Sequence, residues 1–251
     1  MSPNRTVLIT GANRGIGFAI LQALALRSPS DHYLLGCRDL SKGEAAIQEL
    51  RKAGITSPIE PIQIDVTSDD SLRAAVQTVD SKFGRLDVLV NNAGAAVIPS
   101  APDFSDYRSA FSAVYDTNVI SVAITMQLFL PLLRKSPSGI VINVSSGRGS
   151  LGISSSGKMP PTVSIPYTIS KTALNALTLE MAKFPENEDV QFQVVGPGHC
   201  KTEFNGHRGT RDPLEGANVV VELVNAEKGR VPNAGFWQTE GASKELVRIP
   251  W

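Results

Sequence analysis

An excess of one charge sign is missing from this 251-residue chain. Lys plus Arg number 24 and Asp plus Glu number 24, so the formal net charge is zero. No broad basic field invites nucleic acid or an anionic membrane surface, and neither is expected as a partner. Cysteine is scarce. Cys37 and Cys200 stand far apart, without the spacing of a metal site or a disulfide framework. Each reads as a small buried hydrophobe. Long apolar runs are also missing. "VISVAIT" and "LFLPLL" are too short or too broken to span a bilayer. The opening "MSPNRTVLITG" has no signal-peptide apolar region and leads straight into a glycine turn. With 42% apolar and 19% charged residues, a cytoplasmic protein with a sizeable core is the expectation.

What the chain does have is alternation. Strand-like runs at 6–10, 33–37, 59–64, 86–91, 139–145, 190–195 and 235–239 alternate with helical patterns at 15–27, 41–53, 69–83, about 105–135, from near Tyr167, and near 213–225. Several runs lack polar alternation, as happens when both faces of a sheet are covered. The pattern predicts one α/β domain over 1–251, a doubly wound, mostly parallel sheet of seven strands with helices on both faces. Neither a repeat nor a Pro/Gly/Ser linker divides it. The stretch rich in those residues, 147–166, is too long for a plain connection and is a candidate functional loop.

"TGANRGIG", Thr10 to Gly17, lies between the first strand and the first helix. Its glycines suit a backbone that turns tightly beside a pyrophosphate, which the helix N-terminus would hold by its free N–H groups. Gly11, Asn13, Arg14, Gly15, Ile16 and Gly17 are the candidate contacts. The second strand ends "GCRD". Cys37 stands where an acid would bond the ribose of NAD, and Arg38 follows. Two guanidiniums, Arg14 and Arg38, suit a 2′-phosphate, so NADP(H) is the expected cofactor. Asp65 and Val66 of "IDV" offer an adenine contact. Asn91, Ala93 and Gly94 of "NNAG" let a cofactor lie close.

"PYTISK", Pro166 to Lys171, places Tyr167 and Lys171 four positions apart, on one face of a helix. An ammonium there favours the phenolate and lowers the tyrosine pKa. Asn118 of "DTNV" is a poor helix former inside a helical stretch, and "NVSSG" ends the fifth strand with two serines.

In this order, "TGANRGIG", "NNAG", Asn118, "NVSSG", "PYTISK" and "PGHCKT" resemble the short-chain dehydrogenase/reductase family over nearly the whole chain. "GCRD", "PGHCKTEFNG", "DPLEGA", "RIPW" and the long spacing from Ser146 to Tyr167 look most like its NADPH-dependent carbonyl reductases. The resemblance implies a catalytic set of Asn118, Ser146, Tyr167 and Lys171, with Ser146 preferred to Ser145. Tyr167 would be the proton donor, Lys171 would also hold the nicotinamide ribose, and Pro197, Gly198 and Thr202 would hold the nicotinamide end. It implies a small carbonyl or alcohol as substrate. The same chemistry run as an alcohol dehydrogenase, a non-redox enzyme on this scaffold and a regulatory protein all remain open. Many relatives pair through the long helix and the Tyr167 helix as homodimers or homotetramers, whereas an extended loop before the latter covers that face in monomeric carbonyl reductases, so the resemblance leaves both an oligomer and a monomer open. The loops 147–166 and 202–213 are expected around the substrate, with Val97, Ile153, Phe204 and Trp237 as its walls.

Overall fold

The computed structural model describes residues 4–157, 159–227, 229–240 and 244–251. The alternation becomes β1 (Thr6–Thr10), α1 (Gly15–Arg27), β2 (His32–Cys37), α2 (Leu40–Lys52), β3 (Ile59–Gln63), α3 (Asp69–Phe83) and β4 (Val88–Asn91). There follow α4 (Tyr107–Tyr115), α5 (Ser121–Leu133), β5 (Ile140–Val144), α6 (Leu151–Ser155), α7 (Ile165–Ala182), β6 (Gln191–Val195), α8 (Pro213–Val224), β7 (Gly235–Thr239) and β8 (Leu246–Arg248).

The strands form one sheet in the order β3-β2-β1-β4-β5-β6-β7-β8. All neighbours are parallel except β7 and β8. The eighth strand exceeds the seven expected. Leu246–Arg248 is only three residues long, half exposed and without a helix before it, so the alternation that marks the other strands is lacking.

Continuous apolar runs follow from a core on each face. Val7 and Ile9 face one cluster while Leu8 faces the other; Tyr33 and Leu35 oppose Leu34, and Val88 and Val90 oppose Leu89. Helices α1, α2 and α8 cover the first face, and α3, α5 and α7 the second. Each large aliphatic side chain fully buried this way contributes about 2 kcal/mol before entropy is counted. Helix starts are set locally. Asp39 accepts from the Ser41 amide, Ser68 from Ser71 and Asp212 from Leu214.

The single helix expected over 105–135 is two α-helices joined by a wider π turn, Asp116–Ile120. Counted as one, Tyr107–Leu133 runs 27 residues and is long and apolar enough to cross a membrane, although no unbroken apolar run in it is. Half of it is buried, with Val122, Met126, Phe129 and Leu130 in the second core, as expected for the central helix of a covered sheet. Strand order reverses between β1 and β4, so a crevice opens at their carboxyl ends.

Candidate active site

The glycine loop leaves β1 at Thr10 and turns with Gly11 at φ 64°. A Cβ at Gly11 would come within 3.1 Å of Ala93 Cα, and one at Gly17 would collide with the Asn92 side chain. The two strand ends are stapled together. Thr10 Oγ1 accepts from the amides of Asn92 (3.0 Å) and Ala93 (3.1 Å), and Asn92 Nδ2 donates to the carbonyls of Thr10 (2.9 Å) and Gly11 (3.1 Å). Asn92 therefore shapes the loop, and sequence reading missed it. Asn91 takes a different course from the one expected. Its side chain is buried and donates to Asn143 Oδ1 at 2.8 Å, because strand alternation turns it into the sheet interior. Ile16 packs against the first core, which leaves its backbone for a ligand. Asn13 and Gly15 are half-buried, and the Arg14 side chain at the start of α1 makes no capping bond.

Arg38 is exposed past the end of β2, and its guanidinium makes no ion pair among the described residues. Asp39 is spoken for. As the cap of α2 it accepts from Ser41, whose hydroxyl holds its carboxyl below the ordinary value. Arg14 is engaged elsewhere: its Nη1 lies 2.6 Å from Glu203 Oε2. Asp65 Oδ1 accepts from the Thr67 amide and hydroxyl, and Val66 packs on the second core.

Gly94, Asn118 and Lys171 converge. A Cβ at Gly94 would stand 3.3 Å from Asn118 Oδ1 and 3.8 Å from Lys171 Nζ. Asn118 is fully buried in the π turn. Its Oδ1 accepts from the Ala95 amide (2.8 Å), and its Nδ2 donates to the Ala95 carbonyl and to Ser170 Oγ (both 2.9 Å). Ser170, unremarked in the sequence, donates in turn to the Tyr167 carbonyl, which ties Asn118 to α7.

The two serines separate by environment. Ser145 Oγ is buried and donates to Asn175 Oδ1 at 2.7 Å. Ser146 Oγ accepts from the Arg148 amide at 3.2 Å and stands close enough to the Tyr167 phenol to lower its pKa. Burial pushes the Tyr167 phenol up to about 12, and Ser146 partly offsets it. Burial brings Lys171 down to about 8. The expected lowering of Tyr167 by Lys171 is thus corrected. The ammonium donates to the Val144 carbonyl at 2.8 Å and lies 5.7 Å from the centre of the tyrosine ring, while burial opposes the charged form of both groups.

Beyond β6, Gly198 has φ 84°, and Arg211 lies against it and donates to the Pro197 carbonyl at 3.2 Å. Thr202 is buried beside Gly15, where a Cβ would be 3.8 Å away. Arg211 is another brace that no motif announced. Phe204 is 54% exposed and its ring centre lies 5.7 Å from that of Tyr167.

The loop 147–166 has two halves. In the first, α6 is tied to the C-terminal segment: the Gly152 amide donates to the Trp251 carbonyl at 2.7 Å, and Ser150 Oγ donates to the Pro250 carbonyl. Ile153, half-buried, packs against Val194, Phe236 and Ile249 and anchors the loop. In the second, Met159 reaches the position a Cβ on Gly147 would approach, 3.2 Å away, beside Ser146. Lys158 lies outside the described residues. Val97 is 37% exposed, and its carbonyl accepts from Ser164 Oγ at 2.6 Å. Trp237 is also corrected: its indole is buried in the first core and donates to Gln193 Oε1 at 2.9 Å, because it sits within β7 and not beyond it.

Comparison with known proteins agrees with this geometry. The short chain dehydrogenase family profile matches residues 5–212. A short-chain dehydrogenase/reductase of Aspergillus fumigatus is 37% identical, covering 100% of this chain and 98% of its own. Carbonyl reductase [NADPH] 1 of Bos taurus is 38% identical over 89% of this chain and 91% of its own. Among solved structures, NADPH-bound carbonyl reductase from chicken fatty liver superposes with a TM-score of 0.81 at 27% identity, covering 99% of each chain.

Proposed function

Because the chain belongs to the short-chain dehydrogenase/reductase family, we propose that it reduces a ketone or aldehyde to an alcohol with NADPH, Tyr167 being the proton donor. The observation that carries this reading is the convergence of Ser146, Tyr167 and Lys171 at the carboxyl end of β5, where Lys171 Nζ donates to the Val144 carbonyl at 2.8 Å and lies 5.7 Å from the centre of the Tyr167 ring, with the phenol protonated at neutral pH. A protonated phenol is the form that donates; running the reaction as oxidation would call for the phenolate.

The residues fit a phosphorylated dinucleotide. The N-terminus of α1 suits the pyrophosphate, and Arg38 and Arg14 suit the 2′-phosphate. Asp65 and Val66 would meet the adenine, with Ala93, Gly94 and the turn at Pro197, Gly198 and Thr202 along the rest. Bound NADPH supplies the hydride. Ser146 holds the carbonyl oxygen while Tyr167 delivers its proton there, so one hydride and one proton convert the carbonyl to an alcohol. Lys171 is mostly an ammonium at neutral pH and helps return a proton to Tyr167 from solvent. Asn118, locked to Ala95 and Ser170, positions α7 against β4. Phe204, exposed beside the Tyr167 ring, offers an apolar wall next to the proton donor that suits a hydrophobic carbonyl compound.

The test is NADPH oxidation against ketones, aldehydes and quinones. Tyr167→Phe is expected to keep NADPH binding and to lower turnover by about 100- to 10,000-fold. Turnover at the parent level in a chemistry-limited assay would remove Tyr167 as the acid.

We also infer a pairing of two copies across α4 and α7. Tyr107, Phe111 and Tyr115 form a tilted ladder with ring centres 6.4 and 6.2 Å apart, and Ile120, Ile165 and Ile169 are exposed near it. Light scattering at the mass of one 26.8 kDa chain would overturn the pairing.

A further inference from the structure

We propose that Glu203 is a specificity-determining residue that competes with a 2′-phosphate for Arg14, so that a phosphorylated dinucleotide, unlike its unphosphorylated counterpart, frees the segment carrying Phe204. The proposal rests on the dinucleotide-dependent reading above and goes beyond it.

Arg14 and Glu203 are 189 positions apart in the chain and meet at 2.6 Å. Arg14 belongs to the glycine loop, whereas Glu203 opens a short turn at Glu203–Asn205 beside Tyr167. The two segments also touch one residue away from the pair, where Thr202 packs beside Gly15. The turn is internally braced. Thr202 and Asn205 cap each other, Asn205 Nδ2 donates to the Cys200 carbonyl at 2.8 Å, and the His207 amide donates to the Thr202 carbonyl at 2.8 Å. Glu203 and Phe204 therefore move together, and Phe204 lies on the Tyr167 ring. A line of contacts runs from the cation at the phosphate end of the crevice to the proton donor at the other.

The relative strengths permit exchange. The side chains of the pair are 67% and 60% exposed, and an ion pair so open to water is weak. A phosphomonoester offers Arg14 more charge and a bidentate partner, so it displaces the carboxylate. A dinucleotide lacking that phosphate has nothing to offer Arg14, and the pair persists. Glu203 thus weakens binding of the phosphorylated cofactor slightly and makes the Phe204 turn respond to it.

The test compares the parent with Glu203→Gln in calorimetric titrations with NADP⁺ and with NAD⁺, and in hydrogen exchange of the amides of 202–208. Glu203→Gln is expected to bind NADP⁺ about two- to fivefold more tightly and NAD⁺ unchanged. The gain should disappear by about 0.5 M salt, where exposed charges are screened. In the parent, NADP⁺ should raise exchange in 202–208 above its level with NAD⁺; in Glu203→Gln the two cofactors should give the same exchange. Unchanged NADP⁺ affinity in the variant at low salt, or identical exchange with both cofactors in the parent, overturns the proposal and leaves the NADPH reading standing. A parent that binds neither cofactor overturns both.

Discussion

Lys171 donates its side-chain nitrogen to the carbonyl oxygen of Val144 at 2.8 Å, two residues before Ser146. With the bond from Ser145 to Asn175, it fixes α7 to the end of β5 and thereby sets Tyr167 beside Ser146.

It also carries a pH dependence. Burial lowers the folded pKa of Lys171 to about 8 from an ordinary 10.5, so between those values the unfolded chain binds more protons than the folded one. Stability conferred at this site rises with pH from about 8 towards 10, by on the order of 3 kcal/mol at most. Tyr167 and Tyr33 have raised folded values and act oppositely above about pH 10, where their unfolded phenols ionise. Urea unfolding at several pH values should show a steeper rise between 8 and 10 for the parent than for Lys171→Gln. Parallel curves would remove the assignment.

Arg38→Asp should weaken NADPH binding about tenfold or more while leaving NADH binding within about twofold, since a charge-assisted bond to phosphate is lost and a repulsion gained. Fluorescence titration with both cofactors measures it. Equal parent affinities for NADPH and NADH would show that Arg38 does not read the phosphate.

Phe204 lies beside the Tyr167 ring, and Met159 reaches toward Gly147, next to Ser146 in the chain. Phe204→Ala should raise KM for a bulky hydrophobic ketone about tenfold and leave a small one less affected, because the lost contact area scales with substrate size. NADPH affinity should change little. Identical KM ratios for the two ketones would place the substrate elsewhere.

Trp251 clamps α6 through its backbone and stacks on Phe236, ring centres 5.6 Å apart. Trp251→Ala should lower stability by about 1–3 kcal/mol and raise KM more than it lowers kcat, as the first half of the 147–166 loop loosens. A melting temperature equal to the parent's would show the clamp to be idle.

The alternation of apolar runs and helical patterns determined the doubly wound sheet by itself, because consecutive residues must serve cores on opposite faces. Gly11, Gly17, Tyr167 and Lys171 were legible for a similar reason: backbone geometry or helical spacing restricts which residue types stand there. Other features depended on partners distant in the chain. Ser146 differs from Ser145 only in which side of the strand end meets α7, and Trp237 is a core residue because Gln193 of the neighbouring strand receives its indole. Asn92, Ser170 and Arg211 join segments that no local pattern connects. The value near 12 at Tyr167 arose the same way. Spacing alone places a lysine near the phenol, but the packed fold buries Lys171, half-buries Tyr167 and turns the ammonium to Val144, and desolvation outweighs the pairing that the sequence suggests.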